Sequence, residues 1–253
     1  MARARSYVRM RGSMGESTFV KQRNGPGYRV QDKLETTPGR IKTNPRMARV
    51  RENMSDFGRA AKAGKLLRNS ISSLVNYAKD RSLAQRMGKT LMAVIKSDQL
   101  SPAGQGNVVD GNTNLLKDFQ FNASASLESV FPTVFQRNIN RVTGVLTIDI
   151  PVFKPSPDLK APNGATHYQF VSAGTEVDFE SGAFKTDIQK SGQLPYNTAA
   201  TAALTLTHAL TPNSTHPLFL VFGIRFFKQQ GPDKLPLLGA ATSLLVILEI
   251  SKV

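Results

Sequence analysis

Between Ser55 and Asp98 the apolar residues recur at helical spacing. Steps of three and four from Phe57 land on Ala60, Gly64, Leu67, Ile71, Leu74 and Ala78. At 100° per residue these share one face, while Arg59, Lys62, Lys65, Arg68 and Lys79 fall on the other half with Ser72, Ser73 and Asn76. Ser55 is the expected N-cap, and Asp56 complements the helix dipole in the first turn. Asp80-Arg81 interrupts the pattern, after which Ser82 with Gln85 spells a capping box for a second helix reaching Lys96. Its stripe is Leu83, Met87, Leu91, Val94 and Ile95, with Arg86, Lys89 and Lys96 turned away. Gly58, Gly64 and Gly88 each weaken a helix by about 1 kcal/mol relative to alanine, unless they mark close packing.

The charge of the chain is concentrated around these helices. The 253 residues carry 33 Lys/Arg against 18 Asp/Glu, a formal net charge of +15. Residues 1 to 100 hold 22 Lys/Arg and 7 Asp/Glu, a difference of +15, and residues 101 to 253 hold 11 of each. A cationic head on an electrically balanced body points to an acidic partner: nucleic acid, an anionic membrane surface or an acidic protein. The absence of cysteine excludes disulfides, cysteine zinc sites and thiol nucleophiles. With no apolar run of signal-peptide length and none of about 18 residues, neither export nor a transmembrane segment is expected.

Residues 1–53 contain thirteen Lys/Arg, Gly25-Pro26-Gly27, Pro38-Gly39 and Pro45, the composition of a basic extended arm that does not fold alone. The basic helical pair follows at 54–98, and a Gly/Asn/Pro-rich linker at 99–117. From 118 to 253 the period changes to alternation. Expected strands are Phe119–Phe121, Leu127–Phe131, Leu146–Val152, Tyr168–Phe179, Ala183–Lys190 and Ala203–His208, with Leu218–Phe227 and Leu244–Ile250 apolar enough to be covered on both faces. That inventory implies an α+β chain: arm and helical pair followed by an antiparallel β-sandwich, immunoglobulin-like or jelly-roll.

Two constellations stand out. Arg3, Arg5, Arg9, Arg11, Arg46, Arg49, Arg51, Arg59, Lys62, Lys65 and Arg68 supply the cation density that counterion release rewards, without base-reading motifs, so any nucleic-acid binding is expected to be non-specific. Equally, these cations could simply solvate a helix face and tie the arm to protein surface. Glu176, Asp178 and Glu180 alternate along one strand with Asp187 across a hairpin, a solvated outer face or an acidic strip that could receive a neighbouring copy's basic arm.

Signatures of catalysis are weak. Gly88-Lys89-Thr90 has Leu83 where a phosphate-binding loop needs its first glycine, and His167, His208 and His216 lack zinc spacing. No catalytic residue, metal or cofactor is expected.

The run from Thr43 through Asn44-Pro45-Arg46 to Ala60, together with Leu218–Phe227, resembles uncharacterised Bacteroidetes-type proteins that pair a basic Asn-Pro-Arg helical head with a β-rich tail. The resemblance implies a bacterial, cytoplasmic setting and carries no activity. A basic arm ahead of a jelly roll is also similar in plan to viral coat proteins, without a shared motif. The expected function is that of a non-enzymatic structural protein that self-assembles as a homo-oligomer or larger particle, around or against a polyanion. The alternative is a nucleic-acid-associated accessory protein, ribosome- or nucleoid-bound through its head.

Overall fold

A computed structural model describes residues 12–21, 28–32, 38–78, 80–237 and 243–252. The chain mixes helices with several antiparallel sheets and divides into two compact units, Met1–Arg51 and Glu52–Val253.

The first unit is more structured than an extended arm. Strands β1 (Gly12–Met14), β2 (Ser17–Lys21) and β3 (Tyr28–Asp32) form an antiparallel meander in the order β1-β2-β3. Gly15, at φ +60, makes the tight turn between the first two. Helix α1 (Pro38–Thr43) leads into a 3-10 turn, Pro45–Met47, whose preceding residue Asn44 accepts the Arg46 N–H on its side chain. Arg51 donates to the carbonyls of Ile41 (2.8 Å) and Asn44 (2.9 Å), so its guanidinium staples this stretch together.

The helices differ from the expected pair. Helix α2 (Ala48–Ser70) starts at Ala48, which leaves Ser55 and Asp56 inside it instead of at its cap. It ends where Ser70 Oγ turns back to the Leu67 carbonyl, and α3 (Ser72–Ala78) resumes after Ile71. Helix α4 (Leu83–Lys96) has the expected bounds and buries the expected stripe, but Ser82 makes no side-chain cap. The Asp80 carboxylate instead accepts the Ser82 N–H (2.7 Å) and hydroxyl (2.9 Å). The stretch predicted as a linker is packed structure: a 3-10 turn at Thr113–Leu116 buries Leu116, and Val108 is buried too. Gly106 lies so near α4 that a Cβ there would come within 2.8 Å of Ile95 Cγ2.

Beyond it come α5 (Leu127–Val130), β4 (Gln136–Asn140), β5 (Val145–Ile150), α6 (Pro155–Asp158), β6 (His167–Val177), β7 (Phe184–Lys190), β8 (Leu194–Pro195), β9 (Leu204–Ala209), β10 (Leu218–Gln230), β11 (Asp233–Pro236) and β12 (Ser243–Ser251). Leu127–Val130, expected as a strand, is helical because Ser126 and Ser129 form a reciprocal capping box. Strand β10 is central. It pairs with β6 on one side and with β12 and then β11 on the other, while β6 pairs with β7 and β8 on its far side. A second sheet has the order β4-β5-β9.

Alternation along β10 sends its side chains into two cores. Phe219 and Val221 join Leu67, Met87, Leu91 and Val94 beneath the helices. Leu218, Leu220, Phe222, Ile224 and Phe226 join Leu146, Ile148, Ile150 and Leu206 of the smaller sheet. Strand β12 repeats the split until a register shift opposite Leu220/Val221, after which Ile250 returns to the helix side. Each such fully buried side chain contributes about 1.5–3 kcal/mol, so both faces of the large sheet must stay covered. Where the sheets meet, Ser172 Oγ hydrogen-bonds His208 Nε2 at 2.9 Å, and Gly174 admits the ring, since a Cβ there would lie 2.9 Å from His208 Cβ. Among the described residues no helix is long and apolar enough to cross a membrane.

Candidate polyanion-binding grooves

The packing of α2 decides which of its cations are free. Ala60, Ala63, Gly64 and Leu67 are buried, which leaves Arg59, Lys62 and Lys65 exposed along one side. These three line a groove of about 370 Å³ together with Asn69 and, opposite, Asn107 and the Phe179–Gly182 turn. Asp178 shapes that turn by accepting the N–H groups of Glu180 (2.9 Å) and Ser181 (3.1 Å) and the Ser181 hydroxyl (2.5 Å). The Ser181 hydroxyl, with those N–H groups, lowers the Asp178 pKa against the opposing effect of burial. Glu180 is the one acidic residue of the lining. Asn107 is fixed by Asp98, which accepts its N–H at 3.0 Å. Burial raises the Asp98 pKa, but the N–H of Asn107 and the groups of Ser101 and Leu100 outweigh it and hold it at about 2.

A second groove, about 700 Å³, runs between Phe57 and the face of α4 that carries Arg86, Lys89, Met92 and Lys96. No acidic residue lines it. Arg86 is committed elsewhere: it donates to Asp80 at 2.6 Å and to the carbonyls of Gln120 (2.7 Å) and Phe121 (3.1 Å). Among the described residues the ionic contacts are Asp80–Arg86, Lys117–Glu249, Arg137–Glu249 and Asp178–His216, so Arg59, Lys62, Lys65, Lys89 and Lys96 take part in none.

The other sequence candidates fall elsewhere. Arg3, Arg5, Arg9 and Arg11 lie outside the described residues. Arg46 and Arg49 are exposed in the first unit, where Arg51 is structural. Arg68 is drawn inward, its Nη1 at 3.6 Å from Met87 Sδ, and burial lowers its pKa. Lys89 and Lys96, which line the second groove, are not among the cations expected to bind a polyanion, and Phe57 is one of the few head aromatics that could stack on a base. The recurrence of lysine seven residues apart on α4 is the available signal for the two lysines, whereas periodicity puts Phe57 at the start of the apolar stripe.

The acidic strip does not form a single outer face. Strand β6 ends at Val177 and Glu176 is only 8% exposed, its Oε1 accepting the Ser214 hydroxyl at 2.5 Å. Burial raises the Glu176 pKa, but hydrogen bonds from Ser214 and Thr211 and the charge of His216 lower it further. Asp187 joins β7 to β9 by accepting the Ala209 N–H at 2.8 Å. Of these four carboxylates Glu180 is the one that is exposed. Ser172 and His208, whose side chains hydrogen-bond each other, are both fully buried. Among the described residues no group of three or more His, Asp or Glu side chains could hold a metal ion.

No protein-family model, curated protein or solved structure matches this chain.

Proposed function

We propose that the chain is a non-enzymatic structural protein that holds a polyanion against the outer face of its helices. In this reading the two β layers make an antiparallel sandwich of the jelly-roll kind, and α2 with α3 and α4 form a helical head on it. The observation that supports it best is that Arg59, Lys62 and Lys65 share one groove and enter none of the ionic contacts among the described residues. Cations so placed keep their capacity to neutralise phosphates, and each contact with duplex DNA adds about 0.9 to the slope of log affinity against log salt.

The test is fluorescence anisotropy of a labelled duplex at salt concentrations from about 50 to 200 mM. Replacement of all three residues (Arg59→Gln, Lys62→Gln, Lys65→Gln) is expected to weaken binding and flatten the slope by about 2 to 3. An unchanged slope overturns the assignment of this groove.

Self-assembly through the sheets is a second reading, favoured by large apolar side chains exposed around the β4–β5 hairpin: Val134 (87%), Val142 (69%) and Val152 (60%). It requires a particle mass that rises with concentration in light scattering and falls in Val142→Ser. A constant monomer mass removes it.

A further inference from the structure

We infer that the groove between α2 and α4 takes single-stranded nucleic acid, with Phe57 as the platform for a base and Lys89 and Lys96 as phosphate contacts. The inference rests on the polyanion reading above and names the kind of polyanion.

Three features of the groove carry it. Phe57 sits at a helical position that periodicity assigns to the core, yet it is 63% exposed and lines the groove with Met92. Its backbone is nine residues into a 23-residue helix, so the ring is presented from a rigid element. Every charged side chain of the lining is a cation, and Arg86 is held by Asp80 and two carbonyls, which leaves Lys89 and Lys96 to meet an anion. The two lysines are seven residues apart on α4, a rise of about 10 Å. That distance matches about three nucleotides stacked at roughly 3.4 Å along one strand.

The aromatic ring is what selects among polyanions. A duplex keeps its bases paired and stacked on each other, and a sulfated polysaccharide has no bases. Both can reach the lysines, and neither presents an unpaired base to Phe57. Unpaired bases can, because every base has a face to stack and the groove is open beside the ring. The same groove offers a neutral or cationic protein segment no charge complement.

The chain contains no tryptophan, which gives the test an optical readout. The full chain and its Phe57→Ala and Phe57→Trp variants are titrated with labelled oligodeoxythymidylate of about 16 nucleotides, with a duplex of equal length and with heparin. Phe57→Ala is expected to lose roughly 5- to 150-fold in affinity for the single strand, the effect of one stacked base, and nothing for duplex or heparin. Phe57→Trp is expected to retain single-strand binding and to show indole quenching with that ligand alone. If Phe57→Ala leaves single-strand affinity unchanged while all three polyanions bind, the inference fails and the polyanion reading stands. Failure of every polyanion to bind removes both. Indole emission that shifts with protein concentration and not with oligonucleotide would make Phe57 a contact between copies and overturn the inference. Because the side chain is exposed, melting temperatures of the variants should match the parent, which separates lost binding from lost folding.

Discussion

Arg86 and Asp80 form a 2.6 Å charge-assisted hydrogen bond at the start of α4, and each also hydrogen-bonds the chain that follows the helices. Asp80 also accepts the Ala123 N–H at 2.8 Å, and Arg86 donates to the carbonyls of Gln120 and Phe121. The pair therefore locks the helix layer to the segment that enters the sheets. Burial raises the Asp80 pKa, but the Ala123 N–H, the Ser82 hydroxyl, Arg86 and the Ser82 N–H outweigh it and lower it from 3.8 to about 2. A carboxylate depressed in the folded state stabilises above its unfolded pKa, and that stability is lost as pH falls through the folded one. Asp80→Asn is expected to destabilise at neutral pH by about 2 kcal/mol, with the difference from the parent vanishing between about pH 4 and pH 2. Denaturant melts at several pH values measure this. A difference that persists at pH 2 would mean the charge is irrelevant.

Three glycines in the helices separate packing from propensity. A Cβ on Gly64 would stand 3.1 Å from Leu91 Cδ1 and 3.2 Å from Arg68 Nη1, so this glycine lets α2 approach α4. Gly58 and Gly88 would meet nothing within 4 Å. Gly58→Ala and Gly88→Ala are expected to stabilise by about 0.5–1 kcal/mol each. Gly64→Ala should forfeit that gain, because overpacking of about 1–3 kcal/mol against Leu91, Met87 and Arg68 opposes it and leaves the variant about 0–2 kcal/mol less stable than the parent. Thermal melts decide it, and equal responses at all three positions would contradict the packing seen here.

Arg225 reaches from β10 to α3, its guanidinium carbon 3.6 Å from the centroid of the Tyr77 ring. Burial lowers the Arg225 pKa, with Tyr77 acting in the opposite sense. A planar guanidinium stacks on a ring as an ammonium cannot, so Arg225→Lys is not conservative here. A double-mutant cycle of Arg225→Lys with Tyr77→Leu should show coupling of about 1 kcal/mol. Additive effects would reduce the contact to simple proximity.

What could be read before the fold was seen follows from how each segment is stabilised. The α4 stripe and the apolar runs of β10 and β12 were legible because burial there imposes a period on side chains. Strand β4, Gln-Arg-Asn-Ile-Asn, was not, since it is held by backbone pairing with β5 and only Ile139 turns inward. The start of α2 lies upstream of Ser55, which looks like a cap in sequence, because the helix runs on directly from the 3-10 turn Pro45–Met47 that Asn44 caps. Of the cations, Arg59, Lys62 and Lys65 were correctly placed on the outer face. Arg51, Arg68 and Arg86 were misjudged because a long side chain can bend to a carbonyl or a sulfur whatever face its Cα occupies. Periodicity assigns Phe57 to a face but cannot say whether anything covers it.

The buried bond between Ser172 and His208 makes a separate pH dependence, displaced from that of the carboxylates. Burial lowers the His208 pKa below 6.5, with Asp187 opposing the shift. The unfolded chain therefore takes up the proton first as pH falls through about 6.5, and the folded state loses stability in that interval, whereas Asp80, Asp98 and Glu176 act only below about 4.5. His208→Gln can still hydrogen-bond Ser172 but cannot titrate. The parent is expected to melt at a lower temperature at pH 5.5 than at pH 7.5, and the variant to lose most of that difference while remaining folded at both. If the variant keeps the full pH 5.5 penalty, the proton goes elsewhere and the ring is not held neutral between the two sheets.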